Sequence, residues 1–182
     1  MNKYVLIREE AVLLVIDIQD RLVPAMKYGE QVIRNTNILI PLAKKLGIPI
    51  LATEQYPKGL GKTVSELSVN LEEALTYEKV SFSGCTREVT SALKKLGRKK
   101  IIITGMETHV CVFQTVRDLL AQGYQVFVVR DAVCSRTKEN YLNGLSLMLS
   151  MGAVVTDTET VFFDLMMEAG TPLFKEFSKL IK

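Results

Sequence analysis

The segment from Lys100 to Leu120, KIIITGMETHVCVFQTVRDLL, constrains the fold more than any other stretch of the chain. It opens on Ile101-Ile102-Ile103, a continuous apolar run of the kind found in strands covered on both faces. Thr104-Gly105 breaks the run. From Thr108 onward, Val112, Thr115, Val116, Leu119 and Leu120 recur at three- and four-residue spacing, the mark of one buried helix face. A buried strand feeding a helix in this way puts Cys111 in the first turn of the helix, near the C-terminal end of the strand. The field at a helix start favours an anion, which predicts a stabilised thiolate and a lowered thiol pKa. Unpaired N–H groups of the same turn can receive a developing oxyanion. A buried, inert cysteine is the competing reading, and the turn alone does not decide between the two.

The same alternation recurs along the chain. AVLLVIDIQ (Ala11 to Gln19), IPILAT (Ile48 to Thr53), YQVFVV (Tyr124 to Val129) and AVVT (Ala153 to Thr156) read as strands, and a β-prone Val80-Ser81-Phe82 follows Lys79. Helical patterns cover Gln31 to Leu46, with a kink or restart at Pro41, then Thr86 to Leu96, Lys138 to Met151, Thr158 to Glu168 and Leu173 to Leu180. Val64 to Leu75 suggests a short helix and its return, and EQYPKGLGK reads as a loop because of Pro57, Gly59 and Gly61. About six strands alternating with helices predict a doubly wound α/β sheet, mostly parallel and covered on both faces. With 182 residues and no linker or repeat, residues 1–182 are read as one domain.

Composition narrows the function. The formal net charge is +3 and the longest basic run is Arg98-Lys99-Lys100, so no nucleic-acid partner is expected. No apolar stretch is long enough to span a bilayer, and MNKYVLIREE lacks a signal-peptide pattern. Three cysteines do not make a disulfide framework, and the cytoplasm is the expected compartment. The single histidine, His109, lies two residues from Cys111. Helical residues so spaced point in different directions, so His109 is not expected to act as its base. The widely spaced cysteines and lone histidine offer no metal site, and neither a G-x-G-x-x-G after the first strand nor a P-loop is present. Asp17 ends a buried apolar run, where open α/β sheets place ligand chemistry. It can take the thiol proton of Cys111 and return it to a leaving group, while Lys79, if close, keeps Asp17 and a thiolate ionised.

Asp17 in VIDIQ, Lys79 in YEKVSFSG and GMETHVCV ending in the Cys111 turn follow one another in an order that resembles the isochorismatase-like cysteine hydrolases. TEQYPKGLGKTV is similar to the branch of isochorismatase domain-containing proteins. The resemblance covers nearly the whole chain. It implies a Rossmann-like three-layer sandwich and an Asp-Lys-Cys triad carried by Asp17, Lys79 and Cys111. It also implies a non-proline cis peptide between Met106 and Glu107, with the N–H groups of Glu107 and Cys111 forming the oxyanion hole. Family members are often homo-oligomers, so a homo-oligomer is expected.

The departures are informative. Nicotinamidases of this family carry metal-holding histidines after the strand equivalent to Ile48–Thr53, where this chain reads Thr53-Glu54-Gln55-Tyr56. The expected activity is therefore metal-free and cofactor-free hydrolysis of a small-molecule amide, carbamoyl or imide through a Cys111 thioester. Two alternatives stand beside it: a vinyl-ether hydrolase of the isochorismatase type, in which Cys111 is a bystander, and a catalytically silent oligomeric scaffold. Glu54, Gln55, Tyr56 and Phe82 are the expected pocket residues. Gln19 either touches the substrate or orients Asp17.

Overall fold

The computed structural model describes residues 3–181. Its centre is a six-stranded sheet formed by β1 (Ala11–Ile16), β2 (Ile50–Gln55), β3 (Leu75–Lys79), β4 (Lys100–Met106), β5 (Gln125–Cys134) and β6 (Val154–Thr156), in the order β3-β2-β1-β4-β5-β6. All five pairings are parallel. The chain order reverses direction between β1 and β4, so the connections leaving their carboxyl ends run to opposite faces of the sheet, the position where open α/β sheets bind ligands.

The helices are α1 (Gly29–Lys45), α2 (Pro57–Leu60), α3 (Ser65–Ser68), α4 (Arg87–Leu96), α5 (Phe113–Ala121), α6 (Lys138–Ser150), α7 (Thr158–Met166) and α8 (Pro172–Phe177). Even the all-apolar β1 divides its side chains by the two-residue strand period. Leu13 and Val15 join Leu39, Ile40, Phe162 and Phe177 from α1, α7 and α8 on one face. Val12, Leu14 and Ile16 join Val89, Leu93, Val116, Leu119 and Met148 from α4, α5 and α6 on the other. Two apolar layers flank one sheet, giving the expected three-layer sandwich. No helix among the described residues is long and apolar enough to cross a membrane. In the apolar segment Val161 to Gly170, Val161, Phe162, Leu165 and Met166 belong to the core, while Phe163 and Met167 stay exposed.

Several local expectations are corrected. The strand expected at Val80-Ser81-Phe82 lies earlier, as LTYEK ending at Lys79, and Val80 to Phe82 form bends after it. β3 is an edge strand whose residues are largely exposed, so it lacks the apolar run that marks its neighbours. EQYPKGLGK is not wholly loop: Glu54 and Gln55 complete β2, and Pro57–Leu60 make one helical turn. Pro41 lies inside a single α1 rather than dividing it. Pairing in β5 continues past Val129, because the register moves from Ile103 opposite Val128 to Gly105 opposite Val133 and leaves Val129 to Ala132 facing Thr104 alone in an irregularity. The carboxylate of Asp131 in that irregularity accepts from Thr158 N and Oγ1, which ties β5 to the start of α7.

Two backbone features sit where β1 and β4 end. Gly105 has φ +130° and faces β1 so closely that an added Cβ would lie 2.0 Å from the carbonyl oxygen of Ile16. The Met106–Glu107 peptide bond is cis.

Candidate active site

Asp17 follows the last residue of β1 and turns out of the sheet with φ 53°, a left-handed conformation that aspartate tolerates better than most side chains. Its N–H remains bonded to Thr53 O on the neighbouring strand. One carboxylate oxygen, Oδ1, accepts from Thr53 Oγ1 at 2.7 Å. The other, Oδ2, lies 2.6 Å from Lys79 Nζ, and both side chains are 0% exposed. Lys79 also donates to Gln55 Oε1 at 2.6 Å, Phe82 O at 3.1 Å and Ser81 O at 3.2 Å. An isolated buried ammonium or carboxylate is strongly disfavoured, and this pair persists because each charge has an opposite charge plus neutral dipoles around it. Four acceptors surround an ammonium with three protons. Oδ2 is held by charge proximity without an aligned hydrogen bond.

Cys111 lies in a π-helical turn, Thr108–Val112, that leads into α5, and only 6% of the residue is exposed. The expected lowering of its pKa is corrected. Burial, with the Asp17 carboxylate adding to it, pushes the thiol up to about 12, and Lys79 offsets only part of the rise. A helix-end field contributes about 0.3–1 kcal/mol in ordinary settings. Removing a thiolate from water beside a carboxylate outweighs it. The resting sulfur is therefore a thiol, adjacent to a carboxylate and an ammonium that both act on it electrostatically.

A hydrogen-bond relay fixes the two halves of the site relative to each other. Thr115 Oγ1 donates to Cys111 O at 2.6 Å and accepts from Gly84 N at 2.7 Å. The segment that supplies carbonyls to Lys79 is thereby joined to the turn that carries the cysteine. Sequence reading missed Thr53 and Thr115 in these roles. Thr53 carried a faint signal, as a polar residue ending the apolar strand IPILAT. Thr115 carried none, because its spacing matches the buried face of the helix.

The remaining expected residues divide into two groups. Gln19 is fully buried, and its amide bonds to Gln55 N, Gln55 O and Gly61 O, clamping the end of β2. Glu54 accepts from Thr63 N and Oγ1 and from Lys62 Nζ. Burial acts to raise its pKa, but these bonds outweigh burial and hold the carboxyl below its ordinary value. Gln55 bonds Lys79 and Val80 O. Tyr56 and Phe82, each 54% exposed, follow the carboxyl ends of β2 and β3 at the sheet edge that carries Lys79. Glu107 is buried, and its carboxylate accepts from Arg136 N at 3.0 Å and Nε at 3.1 Å. His109 Nδ1 pairs with Ser135 Oγ at 3.0 Å. Among the described residues, no three His, Cys, Asp or Glu side chains are grouped to hold a metal ion.

The family model described as the isochorismatase domain matches residues 11–160. The secreted isochorismatase effector Isc1 of Phytophthora sojae is 42% identical over 182 residues, which cover 97% of this chain and 87% of that protein. Isochorismatase domain-containing protein 1 of Salmo salar is 39% identical over 91% of this chain, which spans 59% of that longer protein. A solved structure titled as the MAR1 ribonuclease of Caenorhabditis elegans superposes with a TM-score of 0.92 at 38% identity, covering 97% of this chain and 91% of that one. At 23% identity, the YcaC gene product of Escherichia coli, titled an octameric hydrolase of unknown specificity, shares the fold with a TM-score of 0.88 over 100% of this chain and 96% of its own. A family match across the sheet and the Asp17, Lys79 and Cys111 segments, joined to relatives this similar along nearly the whole chain, makes this protein a member of the isochorismatase-like hydrolase family.

Proposed function

We propose that the protein hydrolyses the C–N bond of a small amide, carbamoyl or imide compound, with Asp17, Lys79 and Cys111 as the catalytic residues. The observation that carries this reading is the fully buried Asp17–Lys79 pair beside the Cys111 thiol. A packing role would be served as well by apolar side chains, without the desolvation that this pair incurs.

In the first half-reaction Asp17 Oδ2 takes the thiol proton as Sγ bonds to the substrate carbonyl carbon. Because the thiol is held up near 12, proton transfer accompanies attack rather than preceding it. Lys79, paired with Asp17, faces the developing negative charge. The backbone N–H groups of Glu107 and Cys111 are the proposed oxyanion donors, at the start of the turn that carries the nucleophile. Collapse breaks the C–N bond, and the proton on Asp17 passes to the departing nitrogen. Water then attacks the thioester, delivering its proton to Asp17. Release of the acid returns that proton to sulfur. Thr53, Gln55 and Gln19 orient the pair, and Tyr56 and Phe82 are the proposed substrate contacts at its exposed edge.

Ammonia release is measured across a panel of small amides, ureas and imides for wild type, Cys111→Ala and Asp17→Asn, with chelator throughout. Release by wild type that disappears in both variants is the expected result. Retention in Cys111→Ala refutes the thioester route, because C–N cleavage would then proceed without the thiol. Silence from wild type over the whole panel refutes this substrate class.

A further inference from the structure

A cleft of about 270 Å³ opens at the carboxyl end of β5, between the start of α1 and the start of α6. Asp17, Lys79 and Cys111 do not line it. Its walls include Lys27 and Tyr28 from one side, and Arg130, Arg136, Lys138 and Tyr141 from the other. Among the described residues, four cationic side chains line the cleft and no carboxylate does. Two of the four are already partly neutralised: Arg130 faces Asp157 at 3.7 Å and Arg136 faces Glu107 at 3.1 Å. Lys27 rests over the Tyr28 ring at 5.5 Å from its centroid, and neither Lys27 nor Lys138 has an ion-pair partner among the described residues. Uncompensated like charges around a cavity repel one another, and an anion within it removes that repulsion. The N-terminal turn of the long helix α6 adds its positive end to the same wall. Tyr28 and Tyr141 supply apolar ring surface, and Tyr141 is held by its hydroxyl on Arg130 O at 2.8 Å.

We propose that this cleft is a second ligand site, distinct from the Asp17–Lys79–Cys111 centre, that takes a small phosphorylated molecule. Its phosphate meets Lys27, Lys138 and the arginines, and its ring or chain lies against Tyr28 and Tyr141. The cavity exceeds what an inorganic anion fills, and the paired tyrosines give the remaining volume an apolar lining. Two lining residues of the site reach the start of the turn that carries Cys111. Arg136 binds the carboxylate of Glu107, and Ser135 binds His109, so occupancy bears on the residues that flank Cys111.

Phenyl phosphate, inorganic phosphate and phenol are titrated calorimetrically into the intact protein, its Cys111→Ala variant and Lys27→Ala/Lys138→Ala. Lys27 and Lys138 are exposed surface side chains, and circular dichroism verifies that the double variant keeps its fold. Phenyl phosphate is expected to bind the wild type more tightly than inorganic phosphate does, to weaken with added salt, and to bind Cys111→Ala unchanged. Loss of the two lysines is expected to weaken it by about tenfold or more. Phenol is expected not to bind. Absence of phenyl phosphate binding to wild type, equal binding by the lysine variant, or loss of binding in Cys111→Ala each overturns the proposal.

Discussion

Replacing Lys79 with methionine is the most discriminating perturbation of the buried pair. At 2.6 Å, with an effective dielectric of about 20, the attraction to Asp17 is about 6 kcal/mol before desolvation is counted. Desolvation of two fully buried ions offsets most of that, so the intact pair contributes little net stability. Removing one partner is different. Lys79→Met leaves the Asp17 carboxylate uncompensated and strips the donor from Gln55 Oε1, Ser81 O and Phe82 O. A loss of about 3–5 kcal/mol is expected. Asp17→Asn should cost less, about 1–2 kcal/mol, because Lys79 keeps its three neutral acceptors and asparagine tolerates the left-handed backbone at this position. The double variant carries neither charge, so its cost should fall short of the sum of the singles by about 2 kcal/mol or more. Urea denaturation followed by far-ultraviolet circular dichroism, at pH 7 and fixed protein concentration, reads all four proteins. Additivity within about 0.5 kcal/mol, or a Lys79→Met cost below that of Asp17→Asn, refutes the view that the two charges depend on each other.

Three further outcomes follow from the structure. Cys111 in the substrate-free protein should react slowly with iodoacetamide at pH 7.5, and its rate should still be climbing above pH 10; a plateau near neutrality would show a preformed thiolate. The sign for stability agrees: the folded thiol sits near 12 against an ordinary value of 9.0, so stability present below about pH 9 should fall between pH 9 and 12, by about 1.4 kcal/mol per pH unit for each such thiol, and Cys111→Ala should remove one thiol's share of that slope. Gly105→Ala should give insoluble or severely destabilised protein, because the new methyl carbon would lie 2.0 Å from Ile16 O at φ +130°; a cooperative melt within 2 °C of wild type would contradict the close β1–β4 contact.

The layered α/β architecture was legible in the sequence because its signals are local. Apolar runs such as Ala11 to Ile16 and Ile101 to Ile103 are strands covered on both faces, and the spacing of Val112, Val116 and Leu119 is one helix face. Motif order identified Asp17, Lys79 and Cys111 as the residues to watch. β3 escaped that reading. An edge strand needs no apolar run, so LTYEK looked like an approach to the following bends rather than the strand itself.

What only the tertiary structure decided is the electrostatic state of those residues. Lys79 by its neighbours in sequence is an ordinary solvated lysine. In the fold, β2 and the bends after β3 enclose it and supply three oxygens to its ammonium, and Asp17 at the end of β1 supplies the fourth. The sequence leaves Gln19 open between touching the substrate and orienting Asp17 and places Glu54 in the pocket; the fold adds that Gln19 is bonded to Gln55 and Gly61, and Glu54 to Lys62 and Thr63. The helix start at Cys111 was visible in the sequence, and its field was assigned the right sign. The depth of burial was not, and it reverses the outcome for the thiol. Periodicity records which face of an element is covered. Charge state depends on the solvent lost and the dipoles met at one point, and those come from segments far apart along the chain.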